Sequence, residues 1–239
     1  MDSLLSEEDR IKAVYAGRTA DDIRYSAFNS AHLLAVQQLH AEILALLHRR
    51  GHADLRSQTI LDVGCGRGEL LRRLLDWGAR PANVVGIDLL PERIAEAKAL
   101  SPADLRLVCG SARQLDLPSA SFDLVFQLTV FTSILERRLK QEIAAEMMRV
   151  LRPDGLIVWY DYYFNNPRNP NVRGVGKREI SELFPGCAIV LRRITLAPPL
   201  ARALAPYSTL LCQVLGRVAP LCTHYLGSIQ KHHSSPTIV

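Results

Sequence analysis

The sequence predicts an α/β fold in which a single sheet of seven strands is covered by helices on both faces. Three observations support this: short apolar runs alternate with helical segments, a glycine-rich turn follows the first run, and no linker or repeat divides the chain. Such alternation is typical of parallel strands joined by helical crossovers. The expected strands lie near 59–63, 83–87, 105–109, 122–127, 155–161, 188–196 and 223–231, and helices at 67–76, 91–100, 136–151 and 179–184.

Length, charge and cysteine content restrict the class of protein. The chain of 239 residues is long enough for one domain with a sizeable core. Its net charge of +5 comes from scattered Lys and Arg residues, which predicts no nucleic-acid partner. The five cysteines include no C-x-x-C pair, and residues 1–10 are acidic, unlike a signal peptide. No apolar run is long enough to span a membrane. These features are typical of a reduced, cytoplasmic protein.

The stretch 60–68 is predicted to be a strand followed by a tight turn and a helix. Gly64, Gly66 and Gly68 recur at every second position after an apolar run, and helical spacing follows. Glycines allow the backbone to turn sharply and a ligand to come close. The spacing differs from the dinucleotide pattern G-x-G-x-x-G, which disfavours a nicotinamide oxidoreductase but leaves other nucleotide binders open.

Two carboxylates restrict the ligand further. Asp62 stands just before the turn, where it would repel a pyrophosphate but could hold an ammonium group. Asp88 ends the second expected strand, about 20 residues past the last glycine, where an acidic side chain can bind a ribose diol. A ligand that has a ribose and a nearby cationic group but no phosphates would suit both carboxylates.

This pattern resembles the first motif and the following acidic strand end of the class I S-adenosylmethionine-dependent methyltransferases. The resemblance implies a Rossmann-like, mostly parallel sheet with an antiparallel last strand, and S-adenosyl-L-methionine as cofactor. It covers residues 58–196 well, and position 111 departs from it, because the family usually has an acidic residue there to accept from the adenine amino group. The cofactor-binding residues that it implies are Asp62, Gly64, Cys65, Gly66, Gly68, Asp88, Leu89, Ser111, Ala112, Gln127 and Leu128.

Residues 1–57 are expected to form an N-terminal helical cap on the methyltransferase domain of residues 58–239. Residues 31–50 have a broad apolar stripe at helical spacing, and Gly51 follows. In the family such helices cover the cofactor, so Tyr25 and Asn29 are candidates to meet its carboxylate. Capping and packing are the alternative roles for both residues.

Recognition of the acceptor is expected in the loop that follows the fifth strand. This loop, 161–173, is rich in aromatic, amide and arginine side chains at an edge of the sheet where ligands bind. The alternative is that its asparagines and prolines only shape a long turn. The candidate substrate-binding residues are Tyr162, Asn165, Asn166, Arg168 and Arg173.

A helical insertion is expected near 197–221, between the sixth and seventh strands. One helix would place a set of apolar side chains on a common face, as a lid, a homodimer surface or a peripheral membrane contact. Simple packing on the domain is the interpretation that the sequence favours over these three. The set comprises Leu200, Leu204, Tyr207, Leu211, Val214, Leu215 and Val218.

Catalytic residues are not defined by the pattern. Methyl transfer from a sulfonium needs mainly proximity and alignment, and a base only if the nucleophile carries a proton of high pKa. Asp161, Tyr162 and His224 are weak candidates for such a base. No metal site is expected, because the histidines of 31–50 recur every eight residues and do not share one helical face.

The function predicted is transfer of a methyl group from S-adenosylmethionine to a small molecule. An apolar or lipid-linked acceptor and O-methylation in a bacterial biosynthetic pathway are the finer expectations. Residues 127–130, at the end of the fourth strand, lack the signature of enzymes that methylate nucleic-acid bases. The alternatives are a non-catalytic, methyltransferase-like partner subunit and, with less support, a nicotinamide oxidoreductase.

Overall fold

The computed structural model describes residues 6–16, 23, 26–166 and 169–232. The strands are β1 (Ile60–Val63), β2 (Val84–Asp88), β3 (Arg106–Cys109), β4 (Phe122–Leu128), β5 (Leu151–Tyr162), β6 (Cys187–Leu196) and β7 (Cys222–Lys231). The helices are α1 (Glu7–Ala16), α2 (Ser30–Arg49), α3 (Glu69–Asp76), α4 (Pro91–Ala99), α5 (Arg137–Val150), α6 (Lys177–Leu183), α7 (Pro198–Leu204) and α8 (Thr209–Leu215).

The seven strands form one sheet in the order β3-β2-β1-β4-β5-β7-β6. The pairs among β1 to β5 are parallel, while β7 runs antiparallel to both β5 and β6. The predicted fold class is therefore confirmed, including the antiparallel last strand. From β1 the chain adds β2 and then β3 on one side of the sheet, and β4 is then added on the other side of β1. This reversal of strand order creates a ligand-binding crevice at the carboxyl ends of β1 and β4.

Helices cover both faces because successive strand residues point to opposite sides. In β1, Leu61 and Val63 join a core with α5 and α6, in which Trp159 is completely buried. Ile60 points the other way and packs with residues of α2, α3 and α4. The four residues of β1 are all buried, which explains why the run is apolar apart from Asp62.

The insertion at 197–221 differs from the single helix that was expected. It forms α7 and α8, which are separated near Pro206, a residue that has no amide to continue a helix. Ser208 then caps α8 by accepting from the Leu211 amide at 3.1 Å. The prediction of one continuous apolar face was wrong, and the residues buried against the domain are Ala201, Ala205 and Cys212.

Candidate cofactor site and active-site edge

The turn after β1 is built from glycines in the left-handed region. Gly64, Gly66 and Gly68 have φ values of 71°, 54° and 74°. A Cβ on Gly64 would lie 2.4 Å from Cγ2 of Val130, so a side chain fits neither the backbone conformation nor the space. The Gly64 amide donates to the Ile87 carbonyl at 2.8 Å, which ties the turn to β2.

Asp88 is held at the carboxyl end of β2 by two backbone amides. The Gly66 amide donates to Oδ2 at 2.8 Å, and the Leu90 amide donates to Oδ1 at 3.0 Å. Each carboxylate oxygen can accept more than one hydrogen bond, so both can still bind hydroxyl groups. Asp88 also lines the pocket described below, as a ribose-binding residue must.

Asp62 is a buried carboxyl at the end of β1. Burial and the negative charge of Asp88 raise the pKa of Asp62 well above its ordinary value. Among the described residues, no Lys or Arg forms an ion pair with it. A buried carboxylate in this situation is stabilised by any cation that approaches, and an ammonium group of a ligand would supply one.

Gly64 and Asp88 line a pocket of about 770 Å³, including the space that opens to solvent, whereas Asp62 is buried and is not one of its lining residues. The lining residues come from the ends of β1, β2, β3 and β4 and from α1 and α5. They include Glu8, Ile11, Tyr15, Gly64, Asp88, Leu89, Arg93, Ser111, Ala112, Leu128, Thr129, Val130 and Ser133.

Helix α1 closes one side of this pocket through polar contacts. Glu7 accepts from the Leu135 amide at 2.5 Å and pairs with Arg10 at 2.6 Å. Arg10 donates to the Ser133 carbonyl at 2.7 Å, and the Tyr15 hydroxyl lies 2.6 Å from the Ser133 hydroxyl. None of the ten residues of α1 is fully buried, so these polar contacts, together with the packing of Ile11 against the core, hold the helix in place.

Replacing the Glu7 carboxylate should loosen α1. Burial opposes ionisation of Glu7, but its hydrogen bonds outweigh that effect and its pKa lies below the ordinary value. We expect Glu7→Gln to speed amide exchange in α1 roughly fivefold, measured by hydrogen-exchange mass spectrometry. Asp9→Asn is the control, because it removes the same first-turn charge, and the partners of the Asp9 carboxylate among the described residues are Ser6 and Lys12. Equal exchange in the two variants would contradict the role of Glu7.

The cofactor residues predicted from the resemblance fall into two groups, and Asp62, Gly66 and Gly68 belong to the group that does not line the pocket. Gly64, Asp88, Leu89, Ser111, Ala112 and Leu128 line the pocket. Gln127 is completely buried behind it, and its Oε1 accepts from the Val130 amide at 3.3 Å. Cys65 is also buried, with a pKa raised by burial and by the two nearby aspartates. Gln127 and Cys65 therefore support the pocket from behind.

Of the two N-terminal candidates, the structure describes Asn29. Asn29 caps α2 by accepting from the Ala31 and His32 amides at 3.1 Å and 3.2 Å, and it does not line the pocket. The alternative role of capping therefore describes it better. Tyr25 lies outside the described residues. Among the N-terminal residues that the structure describes, those that line the pocket are Glu8, Ile11 and Tyr15 of α1.

The residues proposed to bind the acceptor shape the loop after β5. Asn165 accepts from the Gly174 amide at 3.0 Å, and Arg173 pairs with Glu179 at 3.1 Å. Arg168 lies outside the described residues. Asn166 and Tyr162 are described, and the Tyr162 ring lies 3.8 Å from that of His224. None of these described side chains lines the pocket, so acceptor binding by them remains a prediction.

The structure disfavours two of the three candidate bases. Asp161 is completely buried and accepts from the Thr132 and Tyr162 amides, although burial raises its pKa to about 7. His224 is buried between two tyrosine rings, and burial lowers its pKa to about 3. Such a weak base is poorly matched to neutral pH. Tyr162 is the candidate that remains partly accessible.

Thr129 is a pocket residue that the sequence pattern did not single out. It follows β4 with φ at 59°, a conformation that a β-branched residue rarely adopts. Its amide donates to the Tyr160 carbonyl at 2.7 Å, which holds the turn against β5. Strained residues often cluster at functional sites. No glycine or proline marks this turn, so the sequence contains no signal for it.

Comparison with known proteins finds similarity to methyltransferases over part of the chain. Residues 60–155 match the family of methyltransferase domains. A relative from Synechocystis, 2-methyl-6-phytyl-1,4-hydroquinone methyltransferase, is 35% identical over 107 residues, which are 44% of this chain and 32% of that protein. The ubiquinone biosynthesis O-methyltransferase of Neisseria meningitidis is 33% identical over 126 residues, 50% of each chain. The chain thus spans half or less of the length of these relatives.

A solved structure supports the same fold. Magnesium protoporphyrin IX methyltransferase from Synechocystis, with bound S-adenosylmethionine, has a TM-score of 0.65 at 16% identity, over 97% of this chain and 100% of that one. The fold of this protein is therefore that of the S-adenosylmethionine-dependent methyltransferases, and its residues 60–155 match their family of methyltransferase domains. Among the described residues, no helix is long and apolar enough to cross a membrane.

The residues of the site fit the family's cofactor, S-adenosylmethionine. Asp88 lines the pocket and would offer two oxygens to the ribose hydroxyls, and the buried carboxyl of Asp62 would be the partner for the ammonium group. The missing Cβ of Gly64 leaves room for close approach to the backbone. When bound, the cofactor supplies a methyl group on a positively charged sulfur, which is already activated for transfer.

Proposed function

We propose that this protein transfers a methyl group from S-adenosylmethionine to the oxygen of a small, lipid-linked acceptor, as a step in a bacterial biosynthetic pathway. The observation that carries the proposal is an exposed apolar surface at the active-site edge of the sheet, formed by α7 and α8. The relatives whose names specify a phytyl hydroquinone and ubiquinone biosynthesis support the same class of acceptor.

The position of this surface follows from the register of the sheet. Leu196 ends β6 opposite Cys222, while Tyr162 ends β5 opposite His224. Because β5 and β6 both run antiparallel to β7, their carboxyl ends lie at the same edge as those of β1 and β4. The segment 197–221 begins and ends at that edge, on the β5 side of the cofactor pocket.

The composition of this surface suits an anionic lipid bilayer. Tyr207 is 89% exposed, Leu210 70% and Val214 52%. Segment 197–221 contains Arg202 and Arg217 and no acidic residue. Apolar side chains that enter the headgroup region, with arginines beside them, are the features of a peripheral membrane contact. A homodimer is the competing use of this surface.

Vesicle sedimentation tests the membrane contact. We expect the protein to bind vesicles of phosphatidylglycerol more than vesicles of phosphatidylcholine, and Val214→Glu to weaken that binding at least about fivefold. Val190→Glu is the matched control, because Val190 is 54% exposed but lies on β6, away from α7 and α8. An equal loss of vesicle binding in both variants would contradict membrane contact. So would a molecular mass in solution that doubles as the protein concentration rises and that returns to the monomer value only in Val214→Glu, because that result indicates a homodimer.

The chain's own groups would act by binding and alignment. Asp62 and Asp88 would orient the cofactor, and the ends of β4 and β5 would present the acceptor oxygen in line with the bond to be broken. A phenolic or quinol hydroxyl must lose its proton during transfer. Tyr162 is the partly accessible group at this edge that could help, and Tyr162→Phe tests whether the pH profile of turnover depends on it.

Activity is tested with labelled S-adenosylmethionine and paired acceptors. A phenolic or quinol headgroup with a prenyl tail, in phosphatidylglycerol vesicles, should become labelled faster than the same headgroup without its tail. Mass spectrometry of the product identifies the methylated atom. Equal rates with both acceptors would contradict a lipid-linked substrate, and a carbon-linked methyl group would contradict O-methylation.

A non-catalytic partner subunit is the second candidate function. The observation in its favour is that Asp161 and His224 are buried and unsuited to act as bases. Binding of S-adenosylhomocysteine without transfer to any acceptor, together with a stable complex through α7 and α8, would support it. Transfer at more than the uncatalysed rate would contradict it.

Asp62 gives a test of the cofactor's orientation that does not depend on turnover. Its pKa is raised in the free protein, so an arriving ammonium group lowers that pKa and a proton is released. We expect S-adenosylhomocysteine to bind more tightly as the pH rises through the free-state pKa of Asp62. Calorimetry in two buffers of different ionisation enthalpy measures the proton. Asp62→Asn should abolish its release, and unchanged release would contradict this assignment.

A further inference from the structure

Glu8 lies on α1, and its carboxylate lines the pocket. None of the roles described above is assigned to this residue. Its Oε1 accepts a hydrogen bond from the Ser111 hydroxyl, a contact between residues 103 positions apart. Glu8 is half-buried and lines the pocket together with Ser111 and Ala112. Within the described part of the chain, no hydrogen bond reaches its second oxygen, Oε2, which can therefore accept one from a ligand.

The order of the strands locates what Glu8 would face. β1, β2 and β3 are neighbours in the sheet, so Asp62, Asp88 and Ser111 follow one another along its edge. Asp88 pairs in register with Cys109, and its carbonyl accepts from the Gly110 amide at 3.0 Å, which brings the β3 end beside the ribose position. With the ammonium at Asp62 and the ribose at Asp88, the adenine base lies toward Ser111 and Glu8.

The chemistry of this end of the pocket matches one edge of adenine. Ile11, Leu90 and Ala112 offer apolar walls for the flat ring. The 6-amino group of adenine is a hydrogen-bond donor and needs an acceptor when it leaves water. An ionised carboxylate can only accept, whereas the hydrogen of the Ser111 hydroxyl is already donated to Glu8. Glu8 can thus distinguish an amino group from a carbonyl at this position.

We propose that Glu8 accepts a hydrogen bond from the 6-amino group of the cofactor's adenine and so selects adenosyl over other nucleoside cofactors. The proposal rests on the proposed function, in that the cofactor is S-adenosylmethionine. It assigns to α1 the acidic group that position 111 lacks. The contacts of Glu7 and Arg10 hold α1 in place, so recognition of the base depends on a helix that is distant in sequence from the glycine turn.

The test compares two ligands that differ at one position. S-adenosylhomocysteine has a 6-amino group, and S-inosylhomocysteine has a carbonyl there. In calorimetric titration we expect the wild-type protein to prefer the adenosyl ligand by about a hundredfold, because a carboxylate facing a carbonyl is repelled and unpaired. Glu8→Gln should reduce this ratio to about threefold or less, since an amide can pair with either group.

Two further variants separate recognition from closure of the helix. Asp9→Asn should keep the wild-type ratio, because Asp9 is exposed on the same helix. Glu7→Gln should weaken both ligands by a similar factor and leave their ratio unchanged. A wild-type ratio retained in Glu8→Gln, with normal binding of S-adenosylhomocysteine, would overturn the role of Glu8 and leave the cofactor assignment intact. Failure of the wild-type protein to bind either ligand would instead overturn the proposed function.

Discussion

Asp88→Ala should abolish measurable binding of S-adenosylhomocysteine. Two charge-assisted hydrogen bonds to a ribose diol contribute about 3 to 5 kcal/mol together, which corresponds to a loss of roughly 100- to 4000-fold in affinity. The same carboxylate accepts from the amides of Gly66 and Leu90, so its removal also frees the turn that carries the cofactor. Calorimetric titration measures the loss directly.

The controls for this variant separate ribose binding from support of the turn. Asp88→Asn keeps one oxygen acceptor and should bind more tightly than the alanine variant. Asp76→Ala removes an exposed carboxylate at the end of α3 and should leave affinity unchanged. If Asp88→Ala bound S-adenosylhomocysteine within about threefold of the wild-type protein, the ribose assignment would be wrong.

Gly64→Ala is the second substitution with a large expected effect. The new Cβ would require φ at 71° and would lie 2.4 Å from Cγ2 of Val130. A left-handed conformation costs a non-glycine residue about 1 to 2 kcal/mol, and relief of the clash would displace the turn or the residue that lines the pocket. We expect a lower thermal midpoint and at least about a hundredfold weaker binding of S-adenosylhomocysteine.

A double substitution can divide this effect into its two causes. Adding Val130→Ala to Gly64→Ala removes the atom that clashes but leaves the backbone strain, so stability and affinity should recover in part. Gly176→Ala is the matched control, because that glycine has φ at −78° and no atom within 4 Å of the added Cβ. Full recovery in the double variant would show that the left-handed strain is negligible.

The sheet and its cofactor turn could be predicted because both depend on local sequence signals. Alternating apolar runs and helical stripes reflect which side chains each element must bury. Gly64, Gly66 and Asp88 were identifiable for a similar reason, since a left-handed turn needs glycine and the distance to the next strand end is set by one helical crossover. Their places in the structure agree with that reasoning.

The parts that could not be predicted depend on contacts between distant segments. Glu8 reaches Ser111 across 103 positions, and no pattern in residues 6–16 distinguishes a pocket residue from an exposed helical carboxylate. Asn29 carried a capping signal that was local and correct, while the cofactor role assigned to it was not supported. Pro206 was visible in the sequence, but its effect on the apolar face at 197–221 was underestimated.

The burial of Cys65 has a consequence for the chemical safety of the site. A thiolate is a strong nucleophile, and this sulfur follows Gly64 directly in the turn that is expected to hold an alkylating sulfonium. Burial, with the negative charges of Asp62 and Asp88, raises the pKa of Cys65 and keeps it as the far less reactive thiol. The two aspartates that would bind the methyl donor thus also help to protect the protein from methylating itself.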